Sequence, residues 1–178
     1  MQTINPPSFS APLAQTLKQA CRAVAPEGDE LDRAERTGRA DDKQRKDLLG
    51  RKQCAVKAAL RIASEDLKLP DDYTKPAAAW LARPTVENAK AAARVLEESP
   101  LTRDHGSEGN PVTRPNYGNN EAAKGAYYLL MAVTAPYASS AASYLYDVAM
   151  CAARAIESSS KDLEGGSAHR YLIGKLGG

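Results

Sequence analysis

A chain of 178 residues, 43% of them hydrophobic, is long enough to bury one core without disulfide or metal staples and too short for two full-sized domains. Its 24 basic and 22 acidic side chains leave a net charge of +2, too small to recruit nucleic acid or a membrane surface through bulk electrostatics. Three dispersed cysteines, Cys21, Cys54 and Cys151, fit buried free thiols in a reducing cytoplasm better than a disulfide framework.

The N-terminal run MQTINPPSFSAPLAQ has neither a basic leader nor a continuous apolar segment, so no signal peptide is expected, and residues 1–9 read as an extended lead-in. Ser10 then stands where a cap belongs, with Pro12 in the first turn. Leu13, Leu17, Ala20 and Val24 follow at helical spacing until Pro26 and Gly28 end the helix.

From Asp29 to Lys52, fifteen of twenty-four residues are charged, with signs interleaved, the pattern of a solvated helix face or a connection. Lys43 to Lys52, KQRKDLLGRK, is the most basic patch and the one hint of nucleic-acid binding. Its aspartate and its lack of interleaved aromatics weigh against that reading, so nucleic acid is not the expected partner. A helix opening at Asp41 or Asp42 carries Leu49, Val56, Leu60, Ala63 and Leu67 as its core-facing stripe, and Pro70 breaks it. Thr74 is placed to cap a short helix with Pro76 in its first turn and Trp80 on its face. Thr85 caps the next, whose inward side is Val86, Ala89, Ala93 and Leu96.

Residues 99–118, SPLTRDHGSEGNPVTRPNYG, have three prolines, three glycines and no periodicity. A structureless loop of this length is either functional or disordered. Its polar set, Arg103, Asp104, His105, Glu108, Arg114 and Tyr117, is the candidate partner-binding surface.

Asn119 or Asn120 caps the segment that follows, and between Lys124 and Asp147 there are twenty-two consecutive positions without a charge. A helix with no solvated face belongs in the interior. Pro136 divides it in two, and the second half repeats Ala141, Leu145, Val148, Ala152 and Ile156. Prolyl, seryl and tyrosyl interruptions argue against a membrane span. The pairs Tyr127-Tyr128 and Tyr144-Tyr146 read as core rings with hydroxyls at the rim, or as the wall of a small-ligand cavity around Tyr127, Tyr144 and Tyr146. Residues 158–178 form a tail with a short helix, capped by Ser167 and ending near Leu176.

The chain contains no phosphate-binding glycine loop, no nucleophile elbow and no His-Glu-x-x-His zinc motif. No catalytic, cofactor-binding or metal-ligating residue is therefore named, no cofactor is expected, and an enzyme is not the leading expectation. The pattern predicts an all-α single domain over 1–178, about six helices around a buried central pair.

Over residues 55–157, Pro70-Asp71-Asp72, Lys75-Pro76, Ala79-Trp80-Leu81, Thr85-Val86 and Ala89-Lys90-Ala91-Ala92-Ala93-Arg94, followed by the long Ala/Tyr block, resemble the all-helical immunity proteins of bacterial polymorphic-toxin loci. The resemblance implies a cytoplasmic protein without enzymatic activity that neutralises a cognate toxin by binding it. This chain departs from the family pattern in its 99–118 loop, its lack of histidines among the alanine-rich helices, and its nearly neutral charge. A helical nucleic-acid-binding or regulatory protein using 43–52, and a helical enzyme or small-ligand binder with a tyrosine-lined cavity, are the alternatives. Oligomeric state is not encoded in any of these features.

Overall fold

Half of the helices described begin where the sequence supplies a side-chain acceptor for backbone N–H groups that have no partner within the helix. In the computed structural model, which describes residues 10–104, 113–115, 118, 120–160 and 166–178, four such acceptors are in place. Asp29 accepts from the Asp32 amide at 3.1 Å and opens α2, Glu30–Arg36. Asp41 and Gln44 exchange reciprocal bonds of 2.8 and 3.0 Å, a capping box that starts α3, Asp42–Glu65. Thr85 accepts from Asn88 at 3.2 Å before α5, Val86–Glu98, and Asn120 from Ala123 at 3.0 Å before α6, Glu121–Thr134. The remaining helices are α1, Ser10–Val24; α4, Asp71–Ala82; α7, Ala138–Ser159; and α8, Ser167–Gly177.

The fold is all-α, with eight helices among the described residues. The helix beyond the expected six or so is α2, hidden inside the charged run. Only Leu31 and Ala34 mark its apolar side, and they join Ala40, Leu48 and Ala138 in a small core separate from the main one.

Pro136 lies in the turn between α6 and α7, and the two helices pack along their lengths. Leu129, Leu130, Leu145 and Val148 are fully buried between them, with Ala126, Ala132, Ala141, Ala149, Ala152 and Ala153. Alanine at so many contacts lets helices approach closely, and α3 packs on both helices of the pair. Further contacts come from α4 and α5 on α6, and from α1 and α8 on α7 and on each other. A Cβ on Gly125 would fall 2.2 Å from Leu67 Cδ1, and one on Gly166 2.2 Å from Leu13 Cδ1, so a side chain at either position would have to displace a leucine methyl, and Gly166 is also held at φ 92°. No helix among the described residues is long and apolar enough to cross a membrane.

Several sequence expectations need correction. Of the expected α3 stripe, Val56, Ala63 and Leu67 are buried and Leu60 packs on the core, but Leu49 is 37% exposed, and Leu48, Ala55, Ala59 and Ile62 complete the buried face. Alanines carry much of this face, so a pattern weighted toward large residues leaves them out. In α5 the expected Leu96 faces the core, but Val86, also expected inward, is 64% exposed, and Ala92 is the other buried residue of the helix. The helix carrying Trp80 starts at Asp71, not after Thr74. Two aspartates favour that earlier start, and the bond lost at Pro76 falls on the carbonyl of exposed Asp72. Gly166, in left-handed conformation at φ 92°, precedes α8 where Ser167 was expected to cap. Cys54 is exposed, while Cys21 and Cys151 are buried.

Residues 99–118 are not structureless throughout. Two short strands, β1, Thr102–Asp104, and β2, Thr113–Pro115, pair antiparallel in the register Thr102↔Pro115, Arg103↔Arg114 and Asp104↔Thr113. The expected lead-in over 1–9 and the candidate cap Asn119 lie outside the described residues.

Candidate functional site

Small residues on one face of α7 open a cleft against α1. Ala142, Ser143, Tyr146 and Asp147 recur at helical spacing, and Lys18, Cys21 and Arg22 face them across a cavity of about 290 Å³, closed on one side by Glu27. The basic groups of the cleft are already engaged. Arg22 Nε donates to Glu27 Oε1 at 2.7 Å, and Lys18 Nζ stands 5.9 Å from the Tyr146 ring centroid. Asp147 makes no hydrogen bond or ion pair with another described residue. Burial pushes its carboxyl up to about 6, against the pull of Arg154 and Lys18. The neighbouring Cys21 thiol is pushed up to about 12, by burial first and by the Asp147 charge second. A thiol held in that state is no nucleophile.

Through Arg22 and Glu27 the cleft continues into an open groove of about 520 Å³ beneath α2, lined also by Asp29, Asp32, Arg33, Arg36 and Ser139. Here too the charges are paired. Arg51 grips both Asp29 oxygens at 3.0 and 2.7 Å, and the Asp29 carboxyl is held at about 2, chiefly by that contact. Asp32 accepts from the Gly28 amide at 3.0 Å, and Arg36 Nη2 donates to Ser139 Oγ at 2.8 Å. The result is a continuous groove of alternating charge running over α1, α2 and the first half of α7.

The candidate residues of the 99–118 segment lie elsewhere. Glu121 at the start of α6 reaches toward Arg154 late in α7, at 4.0 Å, so the ribbon enters at the end of the helix pair remote from Ser139. Arg103 and Arg114 occupy directly paired positions, and Asp104 lies opposite Thr113. His105, Glu108 and Tyr117 fall outside the described residues. A second cavity of about 390 Å³ opens by the chain leading into the ribbon, between Leu69, Tyr73, Pro100, Leu101, Asn120 and Ala123.

Three basic side chains of the segment 43–52 are engaged with other groups of the molecule, while Lys43, Arg45 and Lys46 stay exposed. Arg45 pairs with Asp42 at 2.5 Å and Arg51 with Asp29, while Lys52 Nζ donates to the Ala135 carbonyl at 2.7 Å, 4.9 Å above the Trp80 ring. Burial lowers the Lys52 ammonium below the usual lysine range, with Glu35 opposing. The tyrosines divide. Tyr127 meets Tyr128 edge-on at 5.4 Å, Tyr128 stacks with Tyr144 at 6.2 Å, and all three pack on the main core, as does Tyr146, which alone of the four lines the α1–α7 cleft.

The sequence reading missed Asp147 as a site residue. Its signal was its position, the first charge after the long uncharged run. His169 was missed as well: 3% exposed, its Nδ1 lies 3.2 Å from Glu157 Oε1, and its buried Nε2 has no partner among the described residues. A carboxylate–imidazole pair with no hydroxyl or thiol at Nε2 lacks the nucleophile of a catalytic relay. Among the described residues, no group of three or more His, Cys, Asp or Glu side chains is placed to hold a metal. Comparison of the chain with protein-family models, curated proteins and solved structures finds no match.

Proposed function

We propose that the protein is a cytoplasmic, non-enzymatic binding module of the immunity type, a helical bundle around the central α6–α7 pair that neutralises a cognate bacterial toxin by occupying it. The observation that carries this reading is the continuous groove over α1, α2 and α7, open and lined with alternating charge. Small-molecule sites are enclosed and mostly apolar, with a few polar groups for orientation. An open groove whose side chains largely pair with one another suits the polar rim and core of a protein interface. The motif resemblance over residues 55–157 adds the class of partner. The ribbon, with Arg103, Asp104 and Arg114 on its strands, is a second contact element, and His105, Glu108 and Tyr117 belong to the same segment.

Co-expression with the product of the adjacent gene tests the reading. A stoichiometric complex by size-exclusion chromatography, together with restored growth of cells carrying the toxic neighbour, is the expected outcome. If neither appears, the immunity reading is wrong.

A further inference from the structure

The α1–α7 cleft contains one carboxylate, Asp147, that Lys18 and Arg154 attract from a distance but that bonds to no other described residue. Arg22 is held by Glu27, Lys18 is parked over Tyr146, and Arg154 leans toward Glu121, so none of the three basic groups around Asp147 bonds to it. We propose that this cleft receives one lysine or arginine side chain presented by the partner protein, its cationic head on the Asp147 carboxylate and its aliphatic stem against the small side chains of Ala142 and Ser143. The inference deepens the binding-module reading and rests on it for the identity of the partner as a protein.

Three features point to this occupant. Charge comes first: Lys18 and Arg22 also line the cleft, but Arg22 is bonded to Glu27 and Lys18 stands by the Tyr146 ring, so the Asp147 carboxylate is the charged group left to bond an incomer, and an apolar group would only bury it further. A cation restores what burial removed, in a partly desolvated site where charge-assisted hydrogen bonds are strong. Size comes second. About 290 Å³ is at the lower end of the ~300–1,000 Å³ typical of ligand sites, room for one long side chain and not for a nucleotide-sized cofactor. Continuity comes third. The cleft joins the groove beneath α2 through Arg22 and Glu27, which gives the backbone carrying that side chain a path across the surface. A free amine would need the cleft alone.

The test is a carbon-detected NMR titration of the Asp147 carboxyl in the full chain. The probes are the capped peptide acetyl-Gly-Gly-Lys-Gly-Gly-amide, its arginine and norleucine counterparts, and n-butylammonium. The lysine or arginine peptide is expected to shift the Asp147 signal saturably, with half-saturation on the order of millimolar, and to lower its titration midpoint by about one unit. Norleucine should give no saturable shift. Asp147→Asn, close to isosteric, is expected to weaken peptide binding at least about tenfold. Ser143→Lys, one turn before Asp147 on the exposed side of α7, should place an ammonium on the carboxylate and block the peptide. This second variant keeps the test decisive should the first fold poorly.

Absence of a saturable shift with both cationic peptides overturns the proposal, as does equal binding of the norleucine peptide. Binding of n-butylammonium as tight as that of the peptides also overturns it, in favour of a site for a free amine. If the peptides bind while the neighbouring gene product is neither bound nor neutralised, the cleft stands and the immunity reading falls. If Asp147→Asn and Ser143→Lys both bind and neutralise the toxin as the unaltered chain does, the cleft proposal falls alone.

Discussion

Glu35 Oε2 accepts the backbone N–H of Ala138 at 3.0 Å, so a side chain of α2 caps a helix that begins 103 residues later. Tyr137, at the N-cap position of α7, provides no side-chain acceptor of its own. A carboxylate at this end also meets the positive pole of α7. Burial raises the Glu35 carboxyl above the usual range, with the Ala138 bond opposing.

Removing that acceptor should loosen the α6–α7 turn. Glu35→Ala is expected to destabilise the fold by about 1 kcal/mol, and Glu35→Gln, which can still accept, by less than half of that. Chemical denaturation of the three proteins checks both values. An alanine variant as stable as the parent would show that α2 does not support α7.

Asp147 should make stability depend on pH in a defined direction. Its folded value of about 6 lies above the ordinary 3.8, so the folded chain binds the proton more tightly than the unfolded chain does. The contribution is complete below pH 3.8 and is lost as pH rises through 6. Asp147→Asn cannot ionise and is expected to be more stable than the parent at pH 7.5, on the order of 1 kcal/mol once solvent screening of a half-buried carboxyl is allowed for. The advantage should shrink toward zero near pH 4, as read from urea unfolding at both pH values. A pH-independent difference would contradict the assignment.

Lys175 fastens α8 to the end of α3. Its Nζ lies 2.7 Å from Asp66 Oδ2 and 2.5 Å from Glu65 Oε2, with the Tyr171 hydroxyl at 3.4 Å. Burial alone would lower this ammonium, but the bonds to Asp66, Glu65 and Tyr171 prevail and hold it above the usual lysine range. Lys175→Met leaves the sheltered Asp66 carboxylate without its cation and should cost about 2 kcal/mol. Amide hydrogen exchange across Ser167–Gly177 should quicken, and unchanged protection there would remove Lys175 as the fastener.

Gly125 and Leu67 form a pair whose energies should not add. Alanine at 125 gains helix propensity of about 1 kcal/mol but drives its Cβ to 2.2 Å from Leu67 Cδ1, at an overpacking cost of about 1–3 kcal/mol. Gly125→Ala is therefore expected to destabilise the parent chain and to stabilise a Leu67→Ala chain. A double-mutant cycle measures the coupling, and the same sign in both backgrounds would show that the two residues do not compete for the space.

What the amino-acid order alone determined is the class of fold and most of its punctuation. Periodicity and caps at Asp41, Thr85 and Asn120 are local, so the expected helix starts there match the structure, and the uncharged run from Gly125 to Tyr146 already required an interior helix that Pro136 must divide. Tertiary structure decided which alanine faces which, because a methyl group weighs little in a periodicity but sets how close two helices come: hence Leu48 in place of Leu49, and Ala92 in place of Val86. It also decided where charge is left over. Arg22, Arg51, Lys52 and Arg154 find partners or shelter on other segments, and Asp147 does not, a difference that depends on distances across the fold and on no local pattern. A cleft with one unanswered carboxylate exists only once α1 has been laid against α7.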